Sequence, residues 1–289
     1  MKTNILASRN LFGTILIIST IDEYKYPLGD VMDNLKEIEN SMLLRNLGYE
    51  IFYLRKTFST MDFAREALEF GKYFRAVIVA EEQVRGRGRK GRKWVSPRGG
   101  LWTTIVTPIP RDKLELTSII ADLAVTVSLK ELYDLNVQLK WPNDIIYLGF
   151  KLGGILVENL IYDDEIISLV GIGINCNNSS LDLGVKGTIS LREILGRRVS
   201  RKEILEKIVV NLEHFLREYT AFEIIEAYKR YCFSLGRKVK IKVNEEIIEG
   251  IVCDITNKGG LIVRTSRKDE VIVNHGDVIE HEGVKYKLG

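Results

Sequence analysis

The chain has 289 residues, of which 45% are hydrophobic and 28% charged, and its formal net charge is +3. These values are ordinary for a soluble globular protein with one large domain, alone or accompanied by one or two small ones. Because only 5 residues are proline, the composition argues against long disordered linkers. The apolar stretch Leu11–Ile21 is too short and too polar to span a membrane.

The N-terminal part of the sequence predicts helices interleaved with strands. The segment Ser59–Asp62 has the pattern of a capping box, which opens a helix that runs through Phe70 and ends at Gly71. Apolar residues at helical spacing predict a helix over Asp30–Asn46 and a long core helix over Leu114–Tyr133. The strands predicted in this part are Ile51–Arg55, Arg75–Ala80 and Leu101–Thr107.

The second part predicts a run of antiparallel strands, two helical segments and a small β module. Short links between consecutive strands favour hairpins, so the sheet is not a doubly wound parallel one. From Gly236 onward short alternating strands predict an all-β module of roughly 50 residues, SH3-like in size. The predicted class is α+β with a β-barrel appendage. Its later elements are strands Val137–Trp141, Asp144–Tyr147, Lys151–Leu160 and Ile166–Asn175, helices within Ser190–Gly196 and Arg201–Ser234, and strands Val239–Val243, Ile247–Asp254, Gly260–Thr265 and Glu270–Val273.

Positive charge is concentrated in one loop, Arg85–Lys93, which contains six cations and no anion. Without them the chain has 36 basic and 39 acidic residues, a net charge of −3. Charge alone leaves open a solvated face or a nucleic-acid-binding patch. The six are Arg85, Arg87, Arg89, Lys90, Arg92 and Lys93.

The same loop spells G-x-G-x-x-G over Gly86–Gly91, the pattern of a dinucleotide-binding turn. Such a turn must run directly into a helix whose N-terminus binds the pyrophosphate, and Arg92–Gly100 does not have a helical pattern. A dinucleotide-dependent oxidoreductase is therefore disfavoured. Glycines that alternate with arginines suit a loop that clamps carboxylate and phosphate groups, and that becomes ordered when a ligand supplies negative charge.

Three further segments combine polar residues with glycines near strands. Lys140–Asp144 has the composition of a tight turn. Lys151 precedes Gly153 and Gly154, and a second glycine pair occurs in Val170–Asn175. Because glycine weakens a strand unless a ligand or another backbone approaches closely, each pair is unusual, although each segment alone is more typical of structure than of function.

Together these segments resemble the catalytic core of biotin protein ligases, over Ile51–Asn177, and the tail from Gly236 resembles that family's C-terminal β-barrel. The resemblance implies a class II aminoacyl-tRNA-synthetase-like domain over residues 49–235 and an SH3-like domain over 236–289, after an extension of uncertain fold over 1–48. It is carried, in the family's order, by Gly86–Trp94, Ser96-Pro97, Gly99–Leu101, Lys140–Asp144, Lys151–Leu156 and Gly171–Asn175.

The resemblance implies an ATP-dependent ligase. In that family the carboxylate of biotin attacks the α-phosphate of ATP to give biotinyl-AMP, and a lysine of a biotin carboxyl carrier protein then takes the acyl group. ATP, Mg²⁺ and biotin are the implied cofactors and substrate. No serine or cysteine is paired with a base at readable spacing, so the chemistry is expected to be electrostatic and positional.

The implied catalytic residues are Lys151, Arg87 and Arg89. Lys151 matches a lysine that contacts the biotin carboxylate and the α-phosphate; the alternative is a hairpin lysine that faces solvent. Met61 stands where the family has asparagine, and Ser59 could be only a helix cap. Metal ligands stay open, although Asp144 could hold Mg²⁺ through water. The implied biotin-binding residues are Ser59, Thr60, Met61, Gln83, Gly86, Arg87, Gly88, Arg89, Lys151 and Gly154, and the implied ATP-binding residues are Arg92, Trp94, Lys140, Asn143, Lys151 and Asn175.

Two other functions compete with this prediction. A lipoate ligase shares the fold and the acyl-adenylate chemistry, but the arginine-glycine loop and Lys140–Asp144 favour biotin. Some biotin ligases are also DNA-binding repressors with an N-terminal winged helix, for which 48 residues are short, so DNA binding is not expected. The three scattered cysteines favour a reducing cytoplasm. A homodimer is possible, no membrane partner is expected, and Met42 also begins a plausible shorter chain.

Overall fold

The computed structural model of the chain describes residues 33–70, 74–162, 165–282 and 284–285. Most of the predicted extension, the helix end at Gly71 and part of the turn at Tyr162–Asp164 lie outside the described residues. The domain boundaries after residues 48 and 235 stay predictions.

A seven-stranded mixed sheet forms the centre of the larger part, with strand order β1-β2-β3-β7-β6-β5-β4. The pair β1–β2 is parallel and every other neighbouring pair is antiparallel. The predicted α+β class and the hairpins β5–β6–β7 are therefore confirmed. The strands are β1 Glu50–Leu54, β2 Ala76–Ala80, β3 Leu101–Pro108, β4 Gln138–Lys140, β5 Asp144–Tyr147, β6 Phe150–Tyr162 and β7 Glu165–Ile174.

Helices cover both faces of this sheet, because strand side chains alternate between the faces. In β2, Val77 and Val79 join the large core, whereas Ala76 and Ile78 join a smaller core that also contains residues of α2. The α-helices are α1 Met42–Asn46, α2 Thr60–Glu69, α3 Thr117–Tyr133, α4 Ser180–Leu183, α5 Leu191–Leu195, α6 Arg201–Glu218 and α7 Ala221–Tyr231, and the 3-10 helices are Leu35–Asn40, Arg89–Gly91 and Arg111–Leu116.

Three predicted long helices are divided in the structure: Asp30–Asn46, Leu114–Tyr133 and Arg201–Ser234, of which the last becomes α6 and α7 with the Thr220 hydroxyl capping α7. In the first, Ser41 has extended backbone angles and its hydroxyl accepts a hydrogen bond from the Leu44 amide, so it ends one helix and caps the next. In the second, a 3-10 helix precedes α3, and the Thr117 hydroxyl donates to the carbonyl of Leu114 at 2.9 Å. These divisions follow from hydroxyl side chains that compete for backbone groups. The four-residue helix α4 was not predicted.

The C-terminal part is a six-stranded antiparallel sheet with strand order β11-β10-β9-β8-β12-β13. The predicted small β module is confirmed, but its last two strands were not predicted, since Asp277, Glu280 and His281 interrupt the apolar alternation in β12. The strands are β8 Lys238–Val243, β9 Glu246–Ile255, β10 Leu261–Thr265, β11 Glu270–Val273, β12 Asp277–His281 and β13 Val284–Lys285. Across the residues that the structure describes, no helix is both long and apolar enough to cross a bilayer.

A buried histidine should make the stability of this module depend on pH. His281 is 2% exposed, its Nε2 lies 3.0 Å from the Ser234 hydroxyl, and burial lowers its pKa to about 4. Below its ordinary pKa of 6.5 the unfolded chain therefore binds a proton that the folded chain does not. The free energy of unfolding should fall as the pH drops from 6.5 to 4, by roughly 3 kcal/mol in total.

Chemical denaturation at several pH values checks this, with His281→Gln as the comparison because glutamine does not titrate. The variant should show a weaker pH dependence over this window, while the carboxylates contribute equally to both proteins. The same slope for the two proteins would contradict the expectation.

Candidate functional site

Three glycines lie on the sheet face that α2 covers, where β6 meets β7. Gly154 pairs with Gly173, and Gly171 lies two residues earlier along β7. The indole of Trp94 lies against this surface, because a Cβ on Gly173 would stand 2.5 Å from Trp94 Nε1 and one on Gly154 would stand 3.3 Å from its ring. We call Gly154, Gly171 and Gly173 the glycine floor. Trp94 therefore covers Gly154, a predicted biotin-binding residue, in this structure.

A chain of hydrogen bonds joins the start of α2 to the segment after β2. Gln83 Oε1 accepts from the amide and the hydroxyl of Thr60, at 2.8 and 3.1 Å, and Gln83 Nε2 donates to Ser96 Oγ at 2.9 Å. Ser59 is a buried helix cap whose hydroxyl accepts from the Met61 amide. Met61 is buried too, and its Sδ would stand 2.7 Å from a Cβ on Gly171. The predicted residues Ser59, Thr60, Met61 and Gln83 therefore lie together, next to the glycine floor.

The arginine-glycine loop folds back on itself as a small hairpin. The Trp94 amide donates to the Gly86 carbonyl at 2.8 Å, and the Gly88 amide donates to the Arg92 carbonyl at 2.7 Å. A side chain at Gly86 would collide with the Trp94 carbonyl and with Ser96. Close backbone approach thus explains the first glycine, and the turn itself passes through Lys90 with a φ of 56°.

The loop itself contains no anion, but acids from distant segments meet four of its six cations: Arg87, Arg89, Lys90 and Arg92. Arg87 lies 2.8 Å from Asp62 of α2 and 2.6 Å from Glu158 of β6. The predicted capping box at Ser59 is likewise incomplete, since the Asp62 carboxylate is engaged with Arg87.

The C-terminal sheet supplies a second anion to the loop. Asp277, the first residue of β12, lies 2.8 Å from Lys90 and 2.7 Å from Arg92. Burial opposes its ionisation, but hydrogen bonds from these two cations outweigh that effect and lower the pKa of Asp277. The small β module therefore holds the turn of the loop.

Arg89 is held less closely than its neighbours. Its guanidinium lies 4.0 Å from Asp277 and donates at 3.4 Å to Asn143 Oδ1 and at 3.4 Å to the Gly276 carbonyl. Burial lowers its pKa, and the nearby Asp277 charge offsets this in part. A half-buried guanidinium with long contacts is well placed to receive a further anion.

Two lysines flank one carboxylate beside Trp94. Lys151 Nζ lies 2.6 Å from Asp144 Oδ1 and 5.0 Å from the centroid of the Trp94 ring, and Lys140 Nζ lies 3.6 Å from Asp144 Oδ2. Burial lowers the pKa of Lys140, Asp144 opposes that shift and Lys151 adds to it. Lys151 therefore does not project freely into solvent.

The two predicted asparagines have backbone partners. Asn143 Nδ2 donates to the Ile155 carbonyl at 2.7 Å, and Asn175 Nδ2 donates to the Ile189 carbonyl at 3.1 Å. Asn175 is 2% exposed, so its amide fixes the segment that leads into α5. Contact of these two residues with a nucleotide stays a prediction.

Four acidic residues near the site were not singled out from the sequence: Asp62, Glu158, Asp277 and Asp122. Asp122, in α3, is buried and has no hydrogen-bond partner among the described residues, and burial raises its pKa well above the ordinary value, with a further contribution from Asp144. The sequence could have identified Asp122, because it is a carboxylate inside the apolar run Ile119–Val125. No signal in the sequence pairs the other three with the loop.

The described residues contain no group of three or more histidine, cysteine, aspartate or glutamate side chains that could hold a metal ion. The expectation that Asp144 holds Mg²⁺ fits this arrangement poorly. Its two oxygens already face Lys151 and Lys140, whose charges repel a divalent cation.

Comparisons with known proteins agree on one family. Residues 53–177 match the Biotin/lipoate A/B protein ligase family and residues 234–279 match the Biotin protein ligase C terminal domain. The bifunctional ligase/repressor BirA of Bacillus subtilis is 27% identical over 242 residues, which cover 80% of this chain and 74% of that protein.

Solved structures show the same similarity. The biotin protein ligase from Aquifex aeolicus in complex with biotin and ATP is 28% identical, with a TM-score of 0.66 over 79% of this chain and 97% of that one. A mutant of that enzyme in complex with biotin is 30% identical, with a TM-score of 0.65 and the same coverage.

Proposed function

The chain belongs to the biotin protein ligase family and is a ligase, and from that premise we propose that it joins biotin to a specific lysine of a biotin carboxyl carrier protein, with ATP as the activating substrate. The observation that carries the proposal is a convergence of cations beside the glycine floor. Lys151 stands against Trp94, which lies on the floor, and Arg89 reaches Asn143, next to the carboxylate of Asp144 that holds Lys151.

In the first step a carboxylate oxygen of biotin attacks the α-phosphorus of ATP. A phosphorus–oxygen bond forms, the bond to pyrophosphate breaks, and the products are biotinyl-AMP and pyrophosphate. Two anionic groups must meet in this step, so cations aimed at the reacting atoms lower its barrier. We assign this role to Lys151, Arg87 and Arg89.

In the second step the amine of the carrier lysine attacks the acyl carbon of biotinyl-AMP. A carbon–nitrogen bond forms, the carbon–oxygen bond to the phosphate breaks, and AMP leaves while the attacking nitrogen loses a proton. The mixed anhydride must be kept from water until the carrier arrives. The part of the arginine-glycine loop that Asp62, Glu158 and Asp277 hold, Gly86–Arg92, is the segment we assign to that cover.

The remaining assignments follow the same division of the site. We propose that biotin contacts residues at the start of α2, at the glycine floor and in the first half of the loop. We propose that ATP contacts residues around the turn after β4 and at the end of the loop. The first group is Ser59, Thr60, Met61, Gln83, Gly86, Gly88 and Gly154, shared with Arg87, Arg89 and Lys151, and the second is Arg92, Trp94, Lys140, Asn143 and Asn175, again with Lys151.

The resemblance also implies Mg²⁺. The described residues contain no group of three or more histidine, cysteine, aspartate or glutamate side chains that could hold this ion. We derive no step through the metal. A cytoplasmic location and a homodimer stay predictions. We propose no repressor function for this chain.

Lipoate is the competing substrate, since the first matching family includes lipoate ligases. The match of residues 234–279 to a biotin protein ligase domain favours biotin. Incubating a purified carrier domain with the protein, ATP, Mg²⁺ and either acid, followed by mass spectrometry, tests the choice. We expect one biotinyl group on one lysine, dependent on ATP. Modification by lipoate alone, or no modification with an intact carrier, would overturn the proposal.

A further inference from the structure

An exposed aromatic side chain lies beside the site and has no role in the mechanism above. Phe58 is 62% exposed and its neighbour Val84 is 43% exposed. The guanidinium of Arg85 lies 5.2 Å from the centroid of the Phe58 ring. The Val84 amide donates to the Thr57 carbonyl at 2.9 Å, and the Arg85 amide donates to the Phe58 carbonyl at 2.8 Å. Backbone pairing therefore fixes the aromatic ring and the cation next to each other.

The segments that contain Phe58 and Arg85 continue directly into residues of the site. Phe58 is followed by Ser59, which caps α2, and Arg85 is followed by Gly86, the first glycine of the loop. A macromolecule that delivers a lysine to the glycine floor must come close to these residues, whereas biotin and ATP bind further in under the proposed function.

The charge left for a partner lies in the same loop, at Arg85 and Lys93. Arg87, Lys90 and Arg92 each have a carboxylate within 2.8 Å, but Arg85 and Lys93, both exposed, form no ion pair with any acid in the ranges that the structure describes. Lys93 stands opposite Arg87 across the loop hairpin. We call Phe58, Val84, Arg85 and Lys93 the docking patch.

We propose that the docking patch binds the carrier protein, through a carrier surface that presents carboxylates beside the lysine to be modified. The inference rests on the proposed function and names the surface that its second step uses. Aromatic and arginine side chains dominate the binding energy of protein interfaces. Exposed cations without an acid partner select an acidic surface and speed its encounter. A second copy of this chain fits worse, because a symmetric contact would place Arg85 and Lys93 against their own equivalents.

The test separates use of the carrier from formation of the adenylate. The double variant Phe58→Ser, Arg85→Glu should raise the KM for a purified carrier domain about 10-fold or more, with kcat nearly unchanged, as expected for loss of an interface anchor and reversal of its charge. Biotin-dependent ATP–pyrophosphate exchange should stay at the wild-type rate. Release of biotin from the adenylate by hydroxylamine, a small nucleophile that needs no docking, should also be unchanged.

A matched control is Phe222→Ser, Arg267→Glu, which makes the same two changes on exposed residues of α7 and of the β10–β11 turn. It should leave the carrier KM at its wild-type value. Carrier variants in which carboxylates near the target lysine become lysine should recover activity with the Arg85→Glu ligase.

Three outcomes overturn the inference or its premise, and they are distinguishable. An unchanged carrier KM for the double variant overturns the docking patch. Loss of a dimer in sedimentation velocity with an unchanged carrier KM shows that the patch binds a second copy, and also overturns it. Absence of biotin-dependent exchange in the wild-type protein overturns the proposed function itself.

Discussion

Replacing Lys151 with alanine is expected to slow formation of the biotinyl adenylate by about 10²–10³-fold, or roughly 3–4 kcal/mol, the usual effect of removing one well-placed electrostatic contact to a transition state. The ammonium lies 2.6 Å from Asp144 and 5.0 Å from the centroid of the Trp94 ring, so its position is fixed before substrate arrives. Because both reacting groups are anions, the cation should contribute most as charge builds up at phosphorus.

The effect should differ between the two steps and between two substitutions. Transfer from synthetic biotinyl-AMP should be slowed less, since the α-phosphate is by then part of a leaving group already in place. Lys151→Arg should also be impaired, because a planar guanidinium does not replace a compact point charge.

Single-turnover assays with ATP plus biotin, and separately with biotinyl-AMP, measure the two steps. Lys238→Ala is the matched control, since that lysine is also ion-paired, 2.7 Å from Glu249, but is an exposed residue at the start of β8 in the C-terminal sheet. Wild-type adenylate formation by Lys151→Ala would show that the lysine has only a structural role in its hairpin.

Local patterns in the sequence predicted most of the fold. The links β5–β6 and β6–β7 are short and the strands around them alternate, so their antiparallel pairing could be read from neighbouring residues. The divisions at Ser41 and before Thr117 could not, because a hydroxyl that caps or bonds backwards depends on the packed chain around it. The strand β12 was missed because its polar residues face partners elsewhere: Asp277 meets Lys90, which is 187 positions away.

The site was predicted less completely than the fold, for the same reason. Motif glycines and cations were identified, and the structure brings Lys151, Trp94 and Gly154 together. The acids that compensate the loop come from α2, β6 and β12, and sequence spacing contains no information about such contacts. A net charge of the loop calculated from Arg85–Lys93 alone therefore overstates the charge that an incoming anion meets.

The ion pairs of the loop distinguish Arg89 from Arg87 and Arg92. Arg87 and Arg92 have carboxylates at 2.6–2.8 and 2.7 Å, whereas the closest contacts of the Arg89 guanidinium are 3.4 Å hydrogen bonds and its nearest carboxylate is 4.0 Å away. Among these three arginines, only Arg89 has donors that a ligand can use without first breaking a short ion pair. Burial also disfavours its charged form, and a bound anion removes that cost.

Arg89→Ala should therefore raise the dissociation rate of biotinyl-AMP about 10- to 100-fold, the range for losing a hydrogen bond to a charged group, and should change the carrier KM little. Enzyme loaded with labelled biotinyl-AMP and chased with unlabelled adenylate gives the release rate, and carrier titrations give the KM. Arg267→Ala, which deletes an exposed arginine of the β10–β11 turn far from the loop in sequence, should release adenylate at the wild-type rate. Release at the wild-type rate by Arg89→Ala, together with a raised carrier KM, would assign this arginine to carrier binding instead of to the adenylate.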